Sequence, residues 1–350
     1  MAPFDAASVP LLPRRRLLRL AGAAAVVGLA GCRRSEAPTL LAVRGELPAA
    51  WAKALPAPWR WRSLATAREL LEAGPPANLL ALGDGWASGE ATSRWQPLAG
   101  NAPPRTGSAD GLAALIGQLD PRAAAVARLY RPEGSPLMAF PWAVAPWLLV
   151  LRGRSDLVRR QEEGWALLLD PSLRGRLVLP ASPRVVVALA DGDGDRLRQL
   201  RRQAMACNDR DALALLLNGD ADAAVVPRQP VVPLLRRDPR LHALLLPGAP
   251  LSWSVLLRPR NSMEPLPLQW LEQVLTAPLL PRLLAAGWVP PLPLRRLGPA
   301  LSTMAPTLRQ VLLPSPSLWR SCVNLPPLAA WERQRLEQLW QASDPGAVGC

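Results

Sequence analysis

The sequence predicts a mixed α/β fold, and three observations lead to that prediction. The chain has 350 residues, of which 49% are hydrophobic and 19% are charged, so it can bury the core of one large domain or two medium ones. Short apolar runs alternate with longer stretches whose apolar residues have helical spacing. Beyond residue 31, prolines and arginines interrupt every apolar segment before it reaches the roughly 20 residues that a membrane-spanning helix needs.

The expected strands and helices alternate along the chain. The apolar runs that predict strands are 40–43, 78–82, 147–151, 177–179, 223–226 and 253–257. The stretches that predict helices between them include 65–72, 195–206 and 211–217. Strands that alternate with helices favour largely parallel sheets. The turn 83–86 (GDGW) follows the second strand, so Asp84 and Trp86 are expected at a carboxyl end, where ligands of α/β proteins bind.

The first 31 residues have the pattern of an export signal. Three consecutive arginines, Arg14 to Arg16, precede the apolar segment 20–30, which is too short to span a bilayer. Residues 13–19 (PRRRLLR) also resemble a twin-arginine export motif. The general secretory route and the twin-arginine route are therefore both open.

Residues 29–32 (LAGC) resemble a bacterial lipobox, in which the cysteine is diacylated and becomes the new N-terminus. The sequence thus predicts lipidation at Cys32, a short tether over 32–39, and a periplasmic protein held at a membrane by its acyl chains. Each buried methylene of such a chain contributes about 0.8 kcal/mol.

The net charge of +14 first suggests a nucleic acid or an anionic membrane as partner. The chain has 41 basic residues, of which Lys53 is the single lysine, against 27 acidic residues. Removal of residues 1–31 takes away four arginines and one aspartate and leaves a charge of +11. The remaining arginines are spread along the chain, and no nucleic-acid motif accompanies them. The sequence therefore predicts no nucleic-acid partner.

Metal and redox chemistry find little support in the sequence. The chain has one histidine, His242, which we expect at the surface, and no Cys-x-x-Cys pair, so neither a zinc site nor a cofactor is predicted. The acidic loop 191–195 starts like a calcium loop, but arginines occupy its sixth and twelfth positions. Three cysteines remain beyond the lipobox, Cys207, Cys322 and Cys350. Export permits one disulfide among them, with its pairing open, and leaves one thiol over.

Five short segments, in this order, resemble the polyamine-type solute-binding proteins of ABC transporters. The segments are 141–142 (PW), 164–179 (GWALLLDPSLRGRLVL), 182–184 (SPR), 218–223 (NGDADA) and 287–291 (GWVPP). The resemblance spans nearly all of 40–342 and implies the two-lobe fold of periplasmic binding proteins, with two hinge crossings and a ligand cleft. Lobe one would comprise 40–143 and 253–342, lobe two 144–252, and 343–350 a tail.

The residues that depart from the family concern the ligand. Where the family carries an Asp and a Glu, this sequence has Ser182 and Val185, and a third acid is replaced by Val255. Val226 stands where the family usually has a tryptophan. Since polyamine binding needs carboxylates and aromatic faces, the sequence does not support an ordinary polyamine site.

The ligand-binding candidates are the residues that remain at the expected cleft. They are Arg44, Asp84, Trp86, Trp142, Ser182, Arg184 and Trp253. Such a set could hold either an amine, through the carboxylate and the tryptophans, or a small anion, through the arginines.

Two functional hypotheses follow. The first is a monomeric solute-binding lipoprotein that delivers a small molecule to an ABC permease in the membrane. The second is a binding-protein fold that serves a structural or regulatory role with a protein partner and carries no solute. An enzyme is not expected, because the sequence has no Gly-rich phosphate loop and no nucleophile elbow, and its histidine has no nucleophile to act on.

Overall fold

The computed structural model describes residues 37–72, 77–88, 93–99, 108–346 and 350. The expected signal segment, Cys32 and most of the tether lie outside these residues. Within the described ranges, no helix has the length and apolar character needed to cross a membrane.

The described chain alternates strands and helices, as the sequence predicts. The strands are β1 (Thr39–Val43), β2 (Arg60–Leu64), β3 (Leu79–Gly83), β4 (Trp95–Gln96), β5 (Ala139–Arg152), β6 (Leu177–Leu179), β7 (Ala204–Cys207), β8 (Ala223–Pro227), β9 (Leu241–Leu244), β10 (Pro250–Pro259) and β11 (Val323–Asn324). The α-helices of the first half are α1 (Ala49–Ala52), α2 (Ala67–Glu72), α3 (Asp84–Ala87), α4 (Ser108–Gly117), α5 (Pro121–Ala127), α6 (Ser155–Val158), α7 (Pro183–Leu189) and α8 (Gly194–Gln203). Those of the second half are α9 (Ala212–Asn218), α10 (Arg228–Leu235), α11 (Leu268–Gln273), α12 (Leu279–Ala285), α13 (Leu294–Leu301), α14 (Pro306–Leu312), α15 (Pro316–Ser321) and α16 (Ala330–Ala342).

Local sequence signals explain where several helices begin and end. Pro183 and Pro316 occupy the first turn of α7 and α15, where the missing N–H has no intrahelical partner to lose. Asp193 caps α8 by accepting the N–H of Arg196 at 2.7 Å. Gly219 ends α9 with a φ of 88°, a left-handed conformation that glycine adopts without strain.

The first sheet has the strand order β2-β1-β3-β10-β5. Strands β1, β2 and β3 are parallel to one another, whereas β10 runs antiparallel to both β3 and β5. β1 and β3 are almost entirely buried, which fits their continuous apolar sequences.

The second sheet has the order β5-β8-β6-β7. β6 is parallel to β7 and β8, and β8 and β9 run antiparallel to β5. Strand β5 therefore belongs to both sheets: residues 139–146 pair with β10, and residues 147–152 pair with β8 and β9. This crossing strand joins two α/β halves, so the fold is the two-lobe α/β architecture expected from the sequence.

One local expectation is wrong. The helix expected over 195–206 ends at Gln203, and Ala204–Cys207 forms β7 instead, because these residues pair with β6. His242, expected at the surface, keeps part of its surface exposed in strand β9, where it pairs with Leu151 of β5. In both places sheet pairing between distant segments decides the local structure.

The end of the chain packs beside the second sheet. Helix α16, which the sequence analysis places with lobe one, lies against α7 and α8. The expected tail is tied to the same region, since Cys350 forms a disulfide with Cys207 of β7. Cys322 remains a buried free thiol.

A candidate ligand-binding cavity between the two sheets

A cavity of about 470 Å³ lies where residues of both sheets meet. Its polar lining includes Glu46 after β1, Asp84 after β3, Arg184 after β6 and Asp209 after β7. The two long strands β5 and β10 also contribute to its walls. The cavity therefore lies at the carboxyl ends of the parallel strands, the place where α/β folds bind ligands.

Five of the seven ligand-binding candidates from the sequence line this cavity. They are Asp84, Trp86, Ser182, Arg184 and Trp253. They come from three separate segments of the chain, and the fold brings them together around one volume.

Trp142 and Arg44 are not among the lining residues. Trp142 is fully buried and packs between Trp51 and Trp288, with ring centroids 5.2 and 4.9 Å away. It is a core residue one layer behind the cavity, because Trp288 itself does line the cavity. The side chain of Arg44 is exposed, and its loop places Glu46 in the lining instead.

Asp84 is the most buried charged group of the lining, with 8% of its surface exposed. One carboxylate oxygen accepts the hydroxyl of Tyr130 at 2.7 Å, and the other accepts the backbone N–H of Trp253 at 3.2 Å. Burial raises the pKa of the Asp84 carboxyl above its ordinary value, although both hydrogen bonds and the nearby Arg184 act in the opposite direction. Burial of the Tyr130 hydroxyl, together with the negative charge of Asp84 and the hydrogen bond to it, raises the pKa of Tyr130, which therefore stays protonated as the donor.

Arg184 lies half-buried at the start of α7. Its Nη2 group donates a hydrogen bond to the backbone oxygen of Pro326. Desolvation lowers the pKa of the guanidinium, while the carboxylates of Asp84 and Glu332 favour its charged form. Among the described residues it has no ion-pair partner.

Tryptophans form much of the apolar wall. Trp253 is almost completely buried, and its indole N–H donates to the side chain of Asn324 at 2.9 Å. Trp147 donates in the same way to Ser252 at 3.0 Å. Trp86, in contrast, is 50% exposed and forms part of the rim. Because the indole donors of Trp253 and Trp147 are satisfied inside the protein, the ring faces of these two residues remain for a ligand's apolar or cationic groups.

Among the charged residues and tryptophans of the lining, the sequence analysis did not select four: Glu46, Trp147, Asp209 and Trp288. Glu46 and Asp209 each follow a strand, β1 and β7, so the carboxyl-end rule could have found Glu46 once β1 was recognised. Because most of β7 was expected to be helical, the same rule could not identify Asp209 as a residue that follows a strand. Trp147 and Trp288 carried no signal of their own, because tryptophans are as common in cores as in clefts.

Three of the four family departures line the cavity directly. The resemblance led us to expect carboxylates at Ser182 and Val185 and a tryptophan at Val226. The lining therefore has a hydroxyl group at the first position and apolar surface at the other two. Val255, the fourth departure, is fully buried and does not line the cavity.

No group of three or more potential metal ligands occurs in the part of the chain that the structure describes. The carboxylates, the guanidinium and the tryptophan rings of the lining are groups that form ion pairs, hydrogen bonds and aromatic contacts with organic ligands.

Comparison with known proteins gives structural neighbours only. No protein-family model matches the sequence, and no curated protein matches it. Among solved structures, the spermidine/putrescine substrate-binding protein PotD of Streptococcus pneumoniae superposes with a TM-score of 0.64 at 10% identity, over 87% of this chain and 98% of that chain.

Two further neighbours are similar to the same extent. The Tp0655 (TpPotD) lipoprotein of Treponema pallidum has a TM-score of 0.62 at 11% identity, over 87% of this chain and 98% of its own. A putative spermidine/putrescine ABC transporter protein of Listeria monocytogenes has a TM-score of 0.60 at 13% identity, with the same coverage. The resemblance seen in the sequence is confirmed at the level of the fold: this chain has the two-lobe architecture of the ABC-transporter solute-binding proteins.

Proposed function

We propose that this chain is an extracytoplasmic solute-binding protein, which binds a small organic solute in the cavity and delivers it to an ABC permease. The observation that carries the proposal is the cavity itself, lined from both sheets by charged groups and tryptophan rings. A volume of about 470 Å³ suits a small molecule, since ligand pockets usually range from about 300 to 1,000 Å³.

The charges of the lining favour a solute with a cationic group. Three carboxylates, Glu46, Asp84 and Asp209, face one guanidinium, Arg184. Carboxylates form charge-assisted hydrogen bonds with an ammonium group, and tryptophan faces attract cations over a distance of up to about 6 Å. The solved neighbours named for spermidine and putrescine support an amine.

We propose lobes that differ at one end from those expected from the sequence. Lobe one comprises 40–143 and the segment from 253 to the end of β11, and lobe two comprises 144–252. Helix α16 moves with lobe two, because it packs against α7 and α8. Closure about the crossings in β5 and near the start of β10 would then bury a bound solute, as in other hinged proteins.

We also propose that Cys32 carries the lipid anchor and that the domain works on the outer side of a membrane. The lipobox pattern at 29–32 supports this proposal, and so does the short distance along the chain from Cys32 to the start of β1 at Thr39.

A ligand screen on the purified full chain tests the binding function. We expect at least one small amine to raise the melting temperature, because a ligand at 100 times its Kd stabilises the native state by about 2.7 kcal/mol. Quenching or a shift of tryptophan fluorescence should accompany binding, since four tryptophans line the cavity. Asp84→Ala should abolish both effects.

Arg236→Gln is the matched control. Arg236 lies exposed at the C-terminal end of α10 and forms no ion pair among the described residues. Its ligand response should equal that of the wild type. If no amine, amino acid or small anion shifts the melting temperature at millimolar concentration, the solute-binding function is wrong, and a role with a protein partner gains support.

A further inference from the structure

Asp84 and Arg184 are two opposite charges that line the same cavity without forming an ion pair. Each lowers the free energy of the other's charged form through space, yet their N and O atoms do not come within 4.0 Å. Both groups are removed from bulk water, Asp84 more than Arg184. A partly buried charge without a partner raises the free energy of the protein. A ligand that pairs with both Asp84 and Arg184 would remove this cost and gain affinity.

Arg184 has hydrogen-bond donors to spare. A guanidinium carries five N–H groups, and the described structure gives only one hydrogen bond of Arg184, to Pro326. Glu332 attracts the guanidinium electrostatically, but its carboxylate accepts the backbone N–H of Ala329 at 2.7 Å and forms no ion pair with Arg184. The fork of donors that binds a carboxylate is therefore still available on Arg184.

The other two carboxylates of the lining are weaker determinants. Glu46 and Asp209 have more exposed surface than Asp84 and Arg184, although partial burial raises the pKa of both carboxyl groups. Asp209 already accepts the backbone N–H of Ala181 at 2.9 Å. Because water and salt screen exposed charges, Asp84 and Arg184 are the stronger determinants of which charges a solute carries inside the cavity.

We propose that the solute is a zwitterion, whose ammonium group binds Asp84 and whose carboxylate binds the Arg184 guanidinium. The inference rests on the proposed function and names its substrate class. The methylene groups between the two charges would lie against Trp253 and Trp147, which supply apolar surface to the lining. A dication would place its second ammonium group in the field of Arg184, where like charges repel.

Four compounds that share a five-carbon skeleton, tested on the full-length protein, separate these possibilities. They are 5-aminopentanoate, 1-aminopentane, pentanoate and 1,5-diaminopentane, measured by calorimetry and tryptophan fluorescence. We expect 5-aminopentanoate to bind about tenfold or more tightly than each of the others, because hydrogen bonds between charged groups are the stronger ones.

Variants assign the two ends of the ligand. Arg184→Gln should reduce the affinity for 5-aminopentanoate to about that of 1-aminopentane and leave the affinity for 1-aminopentane within about twofold. Arg184→Lys should retain part of the binding, because it keeps the charge but loses the bidentate geometry. Arg236→Gln, which removes an exposed arginine outside the cavity, should change neither affinity.

The comparison of the four compounds needs no variant, so it decides the proposal even if Arg184→Gln fails to fold. If 1,5-diaminopentane or 1-aminopentane binds as tightly as 5-aminopentanoate, the zwitterion inference is wrong while the solute-binding function stands. If 5-aminopentanoate and the amino acids of the wider screen do not bind but an amine without a carboxylate does, the same conclusion holds. If no compound of either experiment binds, both proposals fail.

Discussion

Asp84 combines burial with a fixed hydrogen-bond geometry. Tyr130 and the backbone N–H of Trp253 each hold one of its carboxylate oxygens, so the carboxylate has a defined orientation before any ligand arrives. The carboxylate keeps further lone pairs for an ammonium group, since each oxygen can accept two hydrogen bonds. Pre-orientation of this kind reduces the entropy that a ligand must lose on binding.

The raised pKa of Asp84 has a consequence for the stability of the unliganded protein. Burial raises the pKa of this carboxyl above its ordinary value of 3.8, so the native state keeps a proton that the unfolded chain has already released. Stability therefore falls as the pH rises from about 4 through the native pKa of Asp84, and the loss is complete above it. Asp84→Asn cannot ionise and removes this dependence.

We expect the difference between the free energies of unfolding, Asp84→Asn minus wild type, to increase from pH 4 to pH 7. Urea denaturation at several pH values without ligand measures this difference. Asp220→Asn serves as control, because Asp220 is exposed and forms no ion pair in the described structure. A difference between Asp84→Asn and the wild type that stays constant with pH would contradict the expectation.

At the scale of single residues, the sequence predicts the polar site residues that follow a strand better than it predicts the tryptophans of the cavity wall. Asp84, Ser182 and Arg184 follow strands that their apolar sequences reveal, so the carboxyl-end rule placed them at the cavity. Trp142 and Trp147 both lie on β5, and only the latter lines the cavity. Which of them does so depends on the register of β5 against β10 and β8, which a single sequence does not reveal.

At the scale of elements, Gly287 allows two helical segments to approach closely. It follows α12 with a φ of 86°, and a Cβ atom at this position would overlap the backbone oxygen of Gln229 in α10. Its neighbour Trp288 and Gln229 both line the cavity. The absence of a side chain at Gly287 therefore lets the end of α12 approach α10 this closely.

Gly287→Ala should be strongly destabilising. A positive φ alone costs a non-glycine residue roughly 1 kcal/mol, and the backbone overlap adds to that, so we expect a loss of about 2 kcal/mol or more in the free energy of unfolding. The same substitution at Gly117, the last residue of α4, where a Cβ atom would meet open space, should stabilise by up to about 1 kcal/mol. Urea denaturation of both variants measures the contrast. Equal effects at the two positions would show that the close approach to Gln229 is misplaced.

The elements that the sequence predicted best are those that local composition specifies. β6 has the predicted bounds 177–179, and α9 begins and ends within one residue of the expected helix, because Gly219 stops it. β7 was mistaken for the end of a helix, since its strand form depends on pairing with β6. The position of α16 was equally hidden, because it results from packing on α7 and α8 and not from its own sequence.

At the scale of the whole molecule, the chain passes repeatedly between its two halves. Strand β5 runs through both sheets, and the chain returns through β10. After β11 pairs with β10, α16 packs beside the second sheet. The two-lobe architecture was predictable, because its motifs occur along the sequence in the order of the family. The return of α16 to the second half was not predictable, because it depends on contacts between residues more than 100 positions apart.

Arg201 and a disulfide hold the end of the chain on the second half. Arg201 of α8 is buried and lies 3.9 Å above the ring of Trp340 in α16. It donates hydrogen bonds to the backbone oxygen of Cys350 at 2.7 Å and to Ser343 at 2.9 Å. The disulfide between Cys207 and Cys350 spans 143 residues of sequence, so it excludes many extended conformations of the unfolded chain.

Replacement of both bridged cysteines, Cys207→Ser with Cys350→Ser, should lower the free energy of unfolding by about 2–4 kcal/mol, measured by urea denaturation without reductant. The wild type in reductant should resemble the variant. Thiol titration of the denatured, unreduced protein provides an independent check in a Cys32→Ser background. We expect one reactive thiol, Cys322, which is free and buried in the native state. Three reactive thiols would show that the disulfide does not form and that Arg201 alone holds the end of the chain.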